Sequence, residues 1–140
     1  MTLEVTAVRG MENAYLLTGG PVALVDTMGP RGYRKIVKAL AEKGYRVEDV
    51  EYILITHHHY DHAGCAARIK ELSGATVIAG AADAPVIDGS APSPPPGTLN
   101  RLGRFARRLP KSLVESYQKF PEVGVDSPVS GGEVIEELGL

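Results

Sequence analysis

The sequence predicts an α/β fold, a mixed sheet with packed helices, on three observations. Short apolar or alternating runs read as strands near residues 3–8, 13–17, 22–25, 52–55 and 75–79. Two segments with apolar residues at helical spacing separate the last three runs. A cluster of histidines and an aspartate follows the fourth run directly, at the carboxyl end of a strand, where α/β proteins commonly carry their chemistry.

Each element has its own warrant. Leu3, Val5 and Ala7 alternate with Glu4, Thr6 and Val8, the period of a strand. Gly19, Gly20 and Pro21 form a turn signal between the second run and Val22, Ala23, Leu24 and Val25, so a hairpin is predicted. Pro30 suits the first turn of a helix whose stripe is Tyr33, Ile36, Val37 and Leu40. Lys35, Lys38, Glu42 and Lys43 fall on its wet side, and Gly44 stops it. Residues 47–50 lead into Tyr52, Ile53, Leu54 and Ile55, a short apolar strand suited to burial. A second helix is predicted from His62, with Ala66, Ile69 and Leu72 at helical spacing and Gly74 at its end. Strand, helix, strand is a crossover unit.

The later residues are less regular. Four prolines and two glycines make residues 88–97 a loop, and residues 98–120 read as a helical insertion. Within it Arg101, Arg104, Arg107, Arg108 and Lys111 oppose Leu102, Phe105 and Leu109, so a basic amphipathic helix is predicted over 101–111. From residue 123 short apolar runs, broken at Ser127-Pro128 and at residues 130–132, read as strands joined by turns.

Composition bounds the function. With 44% hydrophobic and 23% charged residues and a net charge of −2, there is no basic excess to favour nucleic acid. One cysteine, Cys65, rules out an internal disulfide and fits a reducing compartment, so a cytoplasmic location is expected. No run is long enough to span a membrane, and the first residues lack the pattern of a signal peptide. Residues 1–140 are expected to form a single domain.

All four histidines lie in six residues: His57, His58, His59 and His62, with Asp61 among them. If the backbone stays extended past Thr56, His57, His59 and Asp61 face one side, while His58 and Tyr60 face the other. His62 adds a fourth donor at the start of the helix. Imidazole nitrogen and carboxylate oxygen suit zinc and also accept iron, cobalt or manganese. The plainer reading is a solvated loop with Asp61 as a helix cap, but a cap needs only one such residue. Cys65 has no spare histidine as a base and is expected to be packed.

His57-x-His59-x-Asp61-His62-x-Gly64, placed after an apolar strand and opening a helix, resembles the HxHxDHxG signature of the metallo-β-lactamase fold superfamily. The resemblance implies the N-terminal half of an αββα sandwich and a metal-dependent hydrolase. It implies two zinc ions in a complete site, one held by His57 and His59 and the other by Asp61 and His62, with iron or manganese as substitutes. Asp61 would also act catalytically by orienting the attacking hydroxide. The implied substrates are small molecules with a thioester, ester or amide bond, as in glyoxalase-II-like members. Asp26 resembles the buried aspartate behind the metal site, with Met28 where the superfamily often has glycine.

The resemblance also implies downstream ligands, two of them histidines, yet residues 63–140 contain no histidine. The chain is therefore expected to be a truncated domain, inactive alone. A second copy or another chain completing the site is the competing expectation, and an uncovered sheet face makes self-association a corollary. Further alternatives are a metal-dependent nuclease using the basic segment, or a non-catalytic metal-binding fragment. A flavodiiron-like role is disfavoured, because that group typically has glutamate where His58 stands.

Overall fold

Alternation at the start of the chain produces β1 (Glu4–Val8), paired antiparallel with β2 (Ala14–Thr18), which pairs antiparallel with β3 (Ala23–Val25). The computed structural model of the chain describes residues 2–95 and 101–140. A 3-10 turn over Pro30–Gly32 opens α1 (Tyr33–Glu42), which buries Ile36, Ala39 and Leu40. Gly44 ends it at φ +82, a left-handed conformation that glycine adopts without steric cost, and donates to the Ala41 carbonyl at 3.0 Å.

The crossover delivers β4 (Tyr52–Ile55) parallel to β3, with Leu24 opposite Ile53 and Val25 opposite Leu54. A short helix, α2 (Tyr60–Ala63), then α3 (Ala66–Ser73), lead to β5 (Thr76–Gly80), parallel to β4. A one-turn helix, α4 (Ala84–Ile87), follows and buries Ala84 and Ile87. β6 (Ser127–Val129) closes a six-stranded sheet of order β1-β2-β3-β4-β5-β6, parallel to β5. The mixed α/β sheet expected from the sequence is the one observed.

The two faces of this sheet are unequal. On one, Leu16, Leu24, Ile53 and Val77 pack against Ile36 and Leu40 of α1 and Ile69 of α3 in a continuous core. On the other, a small cluster of Leu17, Ala23 and Leu138 is buried, with Val25, Tyr52, Leu54 and Ile135 partly covered, and Ile78 is buried beside it. An open groove of about 660 Å³ runs along that second face between Val25, Leu54, Ile78 and Val129.

Three details differ from the sequence reading. The strands expected after residue 123 reduce to β6 and a 3-10 turn, Glu136–Leu138. Pro128 belongs to β6 instead of breaking it, at the sheet edge where its missing N–H costs no ladder bond. The basic segment forms two helices, α5 (Arg101–Ala106) and α6 (Lys111–Gln118), separated at Pro110, which cannot continue the hydrogen-bonding of a single helix. No residue of α5 is buried; Leu102 and Phe105 are 75% and 59% exposed, so the apolar stripe does not pack on the core. Residues 96–97 of the expected proline-rich loop and 98–100 of the expected helical insertion lie outside the described residues. No helix among the described residues is long and apolar enough to cross a membrane.

Candidate metal centre

The apolar strand β4 ends at Ile55, and residues 56–59 form a bend belonging to neither β4 nor α2. The extended run past Thr56 does not occur, and the helix begins at Tyr60, two residues earlier than expected. Asp61 therefore reaches the site from the first turn of α2, and His59 stands at the cap position without a side-chain capping bond. Three of the histidine rings lie together at this bend. The His57 ring centroid lies 4.6 Å from that of His59 and 3.9 Å from that of His62. His62 Nε2 is 3.7 Å from Asp61 Oδ2.

Asp26 organises these rings from behind. It sits at the end of β3 and is almost fully buried. Its Oδ1 accepts the backbone N–H of Thr56 at 2.8 Å, and its Oδ2 accepts the Thr56 hydroxyl at 2.8 Å and His62 Nδ1–H at 2.7 Å. With its only proton directed at Asp26, Thr56 Oγ1 accepts from His57 Nδ1 at 3.0 Å. Both rings are thereby fixed in the tautomer that leaves Nε2 without a proton, the form in which imidazole binds a metal. Burial, followed by repulsion from His62 and His59, lowers the pKa of His57 and favours its neutral form.

The backbone around Asp26 is matched to this task. Asp26 and Met28 both adopt φ +60, a conformation costing non-glycine residues about 1 kcal/mol or more. Met28, where the superfamily often has glycine, is thus held in a glycine-like conformation, with its side chain fully buried. The loop is stitched to α2: Thr27 N–H and hydroxyl both donate to the His62 carbonyl, at 2.7 and 2.9 Å, and Gly64 N–H donates to the Met28 carbonyl at 2.9 Å. A Cβ on Gly64 would lie 2.5 Å from the Tyr60 carbonyl oxygen and 2.6 Å from Gly29 and Pro30. The motif's glycine is a packing requirement.

As they stand, no three His, Cys, Asp or Glu side chains among the described residues surround one point closely enough to hold a metal ion. The chemistry of the donor set fits one nonetheless. Three imidazoles and a carboxylate are gathered in one loop, and two of the rings are oriented by partners on their far nitrogens. Cys65 is not among these donors. It is buried, donates to the Gly29 carbonyl at 3.1 Å, and its thiol pKa is pushed up by burial to about 11.

Sequence reasoning passed over three contributors. Thr56 relays His57 to Asp26, Thr27 ties two loops together, and Asp83 pairs with His58. None carries a spacing signal, because each reaches its partner across the sheet. His58 Nδ1 is directed at Asp83 while its ring stays edge-on to that of His59, centroids 5.1 Å apart, so the separation of His58 from its neighbours that side alternation expected does not hold in this bend.

The family profile of the metallo-beta-lactamase superfamily matches residues 7–136. A hydroxyacylglutathione hydrolase of Pelagibacter ubique is 32% identical over 78 residues, covering 54% of this chain and 31% of that protein. One from Methylococcus capsulatus is 30% identical over 112 residues, covering 76% of this chain and 41% of that protein. The crystal structure of BJP-1, a subclass B3 metallo-beta-lactamase of Bradyrhizobium japonicum, superposes with a TM-score of 0.69 at 30% identity, covering 92% of this chain and 43% of that one. The chain spans less than half the length of these proteins. A profile match over nearly the whole chain, a like fold and the motif at the end of β4 agree: the chain belongs to the metallo-β-lactamase superfamily.

Proposed function

We propose that this chain supplies the HxHxDH half of a zinc-dependent hydrolase centre that cleaves thioester, ester or amide bonds in small molecules. The orientation of His57 and His62 by Asp26 is the observation that supports the reading most strongly. A solvated polar loop needs no buried carboxylate fixing two ring tautomers.

His57 and His59 would hold one ion, Asp61 and His62 a second. Zinc bound there supplies a hydroxide nucleophile at neutral pH, since it lowers the pKa of water to about 7. Asp61, in the first turn of α2 and one-third exposed, would orient that nucleophile through its carboxylate. The groove along the open sheet face begins at Thr56, next to His57, and its apolar walls suit an acyl chain. The relatives named hydroxyacylglutathione hydrolase favour a thioester. On this assignment the chain gives two protein ligands to each ion, and no further histidine of the sequence is left to add to them. Zinc binding is accordingly weak and turnover by the isolated chain absent, unless a second copy or another chain supplies the remaining ligands.

The test is zinc titration against a chromophoric chelator, with a hydroxyacylglutathione thioester assay on the same samples. Wild-type protein takes up zinc, and His59→Ala and His62→Ala each take up less while keeping the wild-type far-UV spectrum. Equal uptake by wild type and variants would remove the assignment. The nuclease alternative rests on the exposed arginines of α5, Arg101 and Arg104. Metal-dependent cleavage of RNA or DNA that disappears when both are replaced would put it in place of the thioester reading.

A further inference from the structure

Asp83 breaks a local rule. It occupies the N-cap position of α4, where an aspartate ordinarily accepts a backbone N–H of its own helix, yet its side chain makes no capping bond. Its carboxylate instead crosses to the histidine loop. Asp83 Oδ1 accepts the Nδ1–H of His58, a very close contact, and also the backbone N–H of His58 at 3.3 Å. Burial opposes the charge on Asp83, but these bonds from His58 outweigh it and hold its pKa below the usual value.

The anchor behind Asp83 is firm. Its N–H donates to the Gly80 carbonyl at 2.9 Å, and its own carbonyl accepts from Val86 and Ile87 at 3.0 Å. Ile87 is completely buried in the main core. The loop it grips is the part of the site with least regular support, since residues 56–59 lie outside strand and helix. Asp26 holds the two ends of this loop, at Thr56 and at His62. Asp83 holds its middle, from the β5 side.

We propose that Asp83 is a positioning residue for the metal centre: through His58 it fixes the peptide between His57 and His59 and so sets the spacing of those two donors. The proposal rests on the metallohydrolase reading above. It gives His58, whose Nδ1 is directed at Asp83, a defined task as the handle by which the loop is gripped.

The experiment pairs two readouts on wild type, Asp83→Ala, Asp83→Asn and His58→Phe. Amide hydrogen exchange of the metal-free protein reads the grip itself, and zinc competition against a chelator reads its consequence. Asp83→Ala and His58→Phe should each speed exchange at His57, His58 and His59 while leaving β3, β4 and β5 protected. Each should weaken zinc binding about 10–100-fold, the usual cost of losing an outer-shell partner. The double variant should be no weaker than either single one, because both remove the same contact. Asp83→Asn keeps an acceptor oxygen and should stay within about threefold of wild type. His58→Phe leaves α4 untouched, so it remains informative if Asp83→Ala disturbs that helix. Unchanged exchange in His58→Phe, or faster exchange with unchanged zinc affinity, overturns the proposal while wild-type zinc binding stands. Failure of the wild type to bind zinc overturns the metallohydrolase reading and this proposal together.

Discussion

At the scale of single residues, the site depends on a few groups whose geometry leaves no slack. Asp26 accepts three hydrogen bonds that fix Thr56, His57 and His62 together, so Asp26→Ala should lower zinc affinity by about 10–100-fold in a chelator competition, even though Asp26 is not itself an expected ligand. Gly64 has no room for a methyl group, with backbone atoms of Tyr60 and Gly29 inside 2.7 Å of where it would sit. Gly64→Ala should therefore cost about 1–3 kcal/mol in urea unfolding, the range for overpacking a filled site. A variant as stable as wild type would show that α2 can shift without loss. Met28 illustrates a compromise: the backbone strain of φ +60 is set against complete burial of a large side chain wedged beside Gly10 and Gly32. Substituting glycine relieves the strain but empties the wedge, and the lost burial outweighs the relief.

At the scale of elements, the clip between α3 and the entry to β6 is the electrostatic feature that pH can test. Lys70 Nζ reaches Asp126 Oδ2 at 2.7 Å and the Gly124 carbonyl at 3.0 Å, while Val77 N–H donates to Asp126 Oδ2 at 2.8 Å. Hydrogen bonds from Lys70, then from Val77, hold the Asp126 carboxyl below its usual value of 3.8. A carboxyl whose folded pKa lies below the unfolded one stabilises the fold above the unfolded pKa, and that contribution is lost as pH falls through the folded pKa. Asp126→Asn should therefore be less stable than wild type at neutral pH, and the gap should close between about pH 5 and pH 2. A gap independent of pH would mean that the clip acts through shape alone. Because the Asp126 side chain is nearly half exposed, the effect is expected to be small. Helix α5 makes the opposite case. With Phe105 mostly in solvent, Phe105→Ser should change unfolding free energy by less than about 0.5 kcal/mol, and a larger loss would show that α5 packs on the domain in solution.

At the scale of the whole molecule, one face of the sheet carries nearly all the buried volume and the other an open apolar groove. A contiguous apolar surface of this kind is uncommon on a soluble monomer. The 140-residue chain by itself should bind an apolar dye and sediment above the monomer mass. A clean monomer profile with no dye binding would show that the 3-10 turn at Glu136–Leu138 and its neighbours cover the face well enough. The same asymmetry bears on function, since the groove and the histidine loop share Thr56.

What the sequence determined by itself is whatever is local or periodic. The strand period of β1, most of the α1 stripe and the glycine stops at Gly44 and Gly74 are written in spacings of a few residues, and the structure forms these elements, although in β1 it is Val8 that is buried while Leu3 and Val5 are exposed, and in α1 Val37 is exposed. The donor cluster and its superfamily were legible because all of its members lie within six residues of chain. Tertiary structure alone decided the parts that depend on distant partners. Thr56 and His62 meet Asp26 across 30 and 36 residues, and His58 meets Asp83 across 25, through parallel neighbours in the sheet that no local pattern announces. Pro128 carried a local turn signal that the tertiary environment overrode, and Asp83 stands at a helix cap position whose usual bond it gives up for His58. Local propensity is worth about 1 kcal/mol at such positions, and a hydrogen bond to a charged, partly buried group or a place in a sheet edge outweighs it.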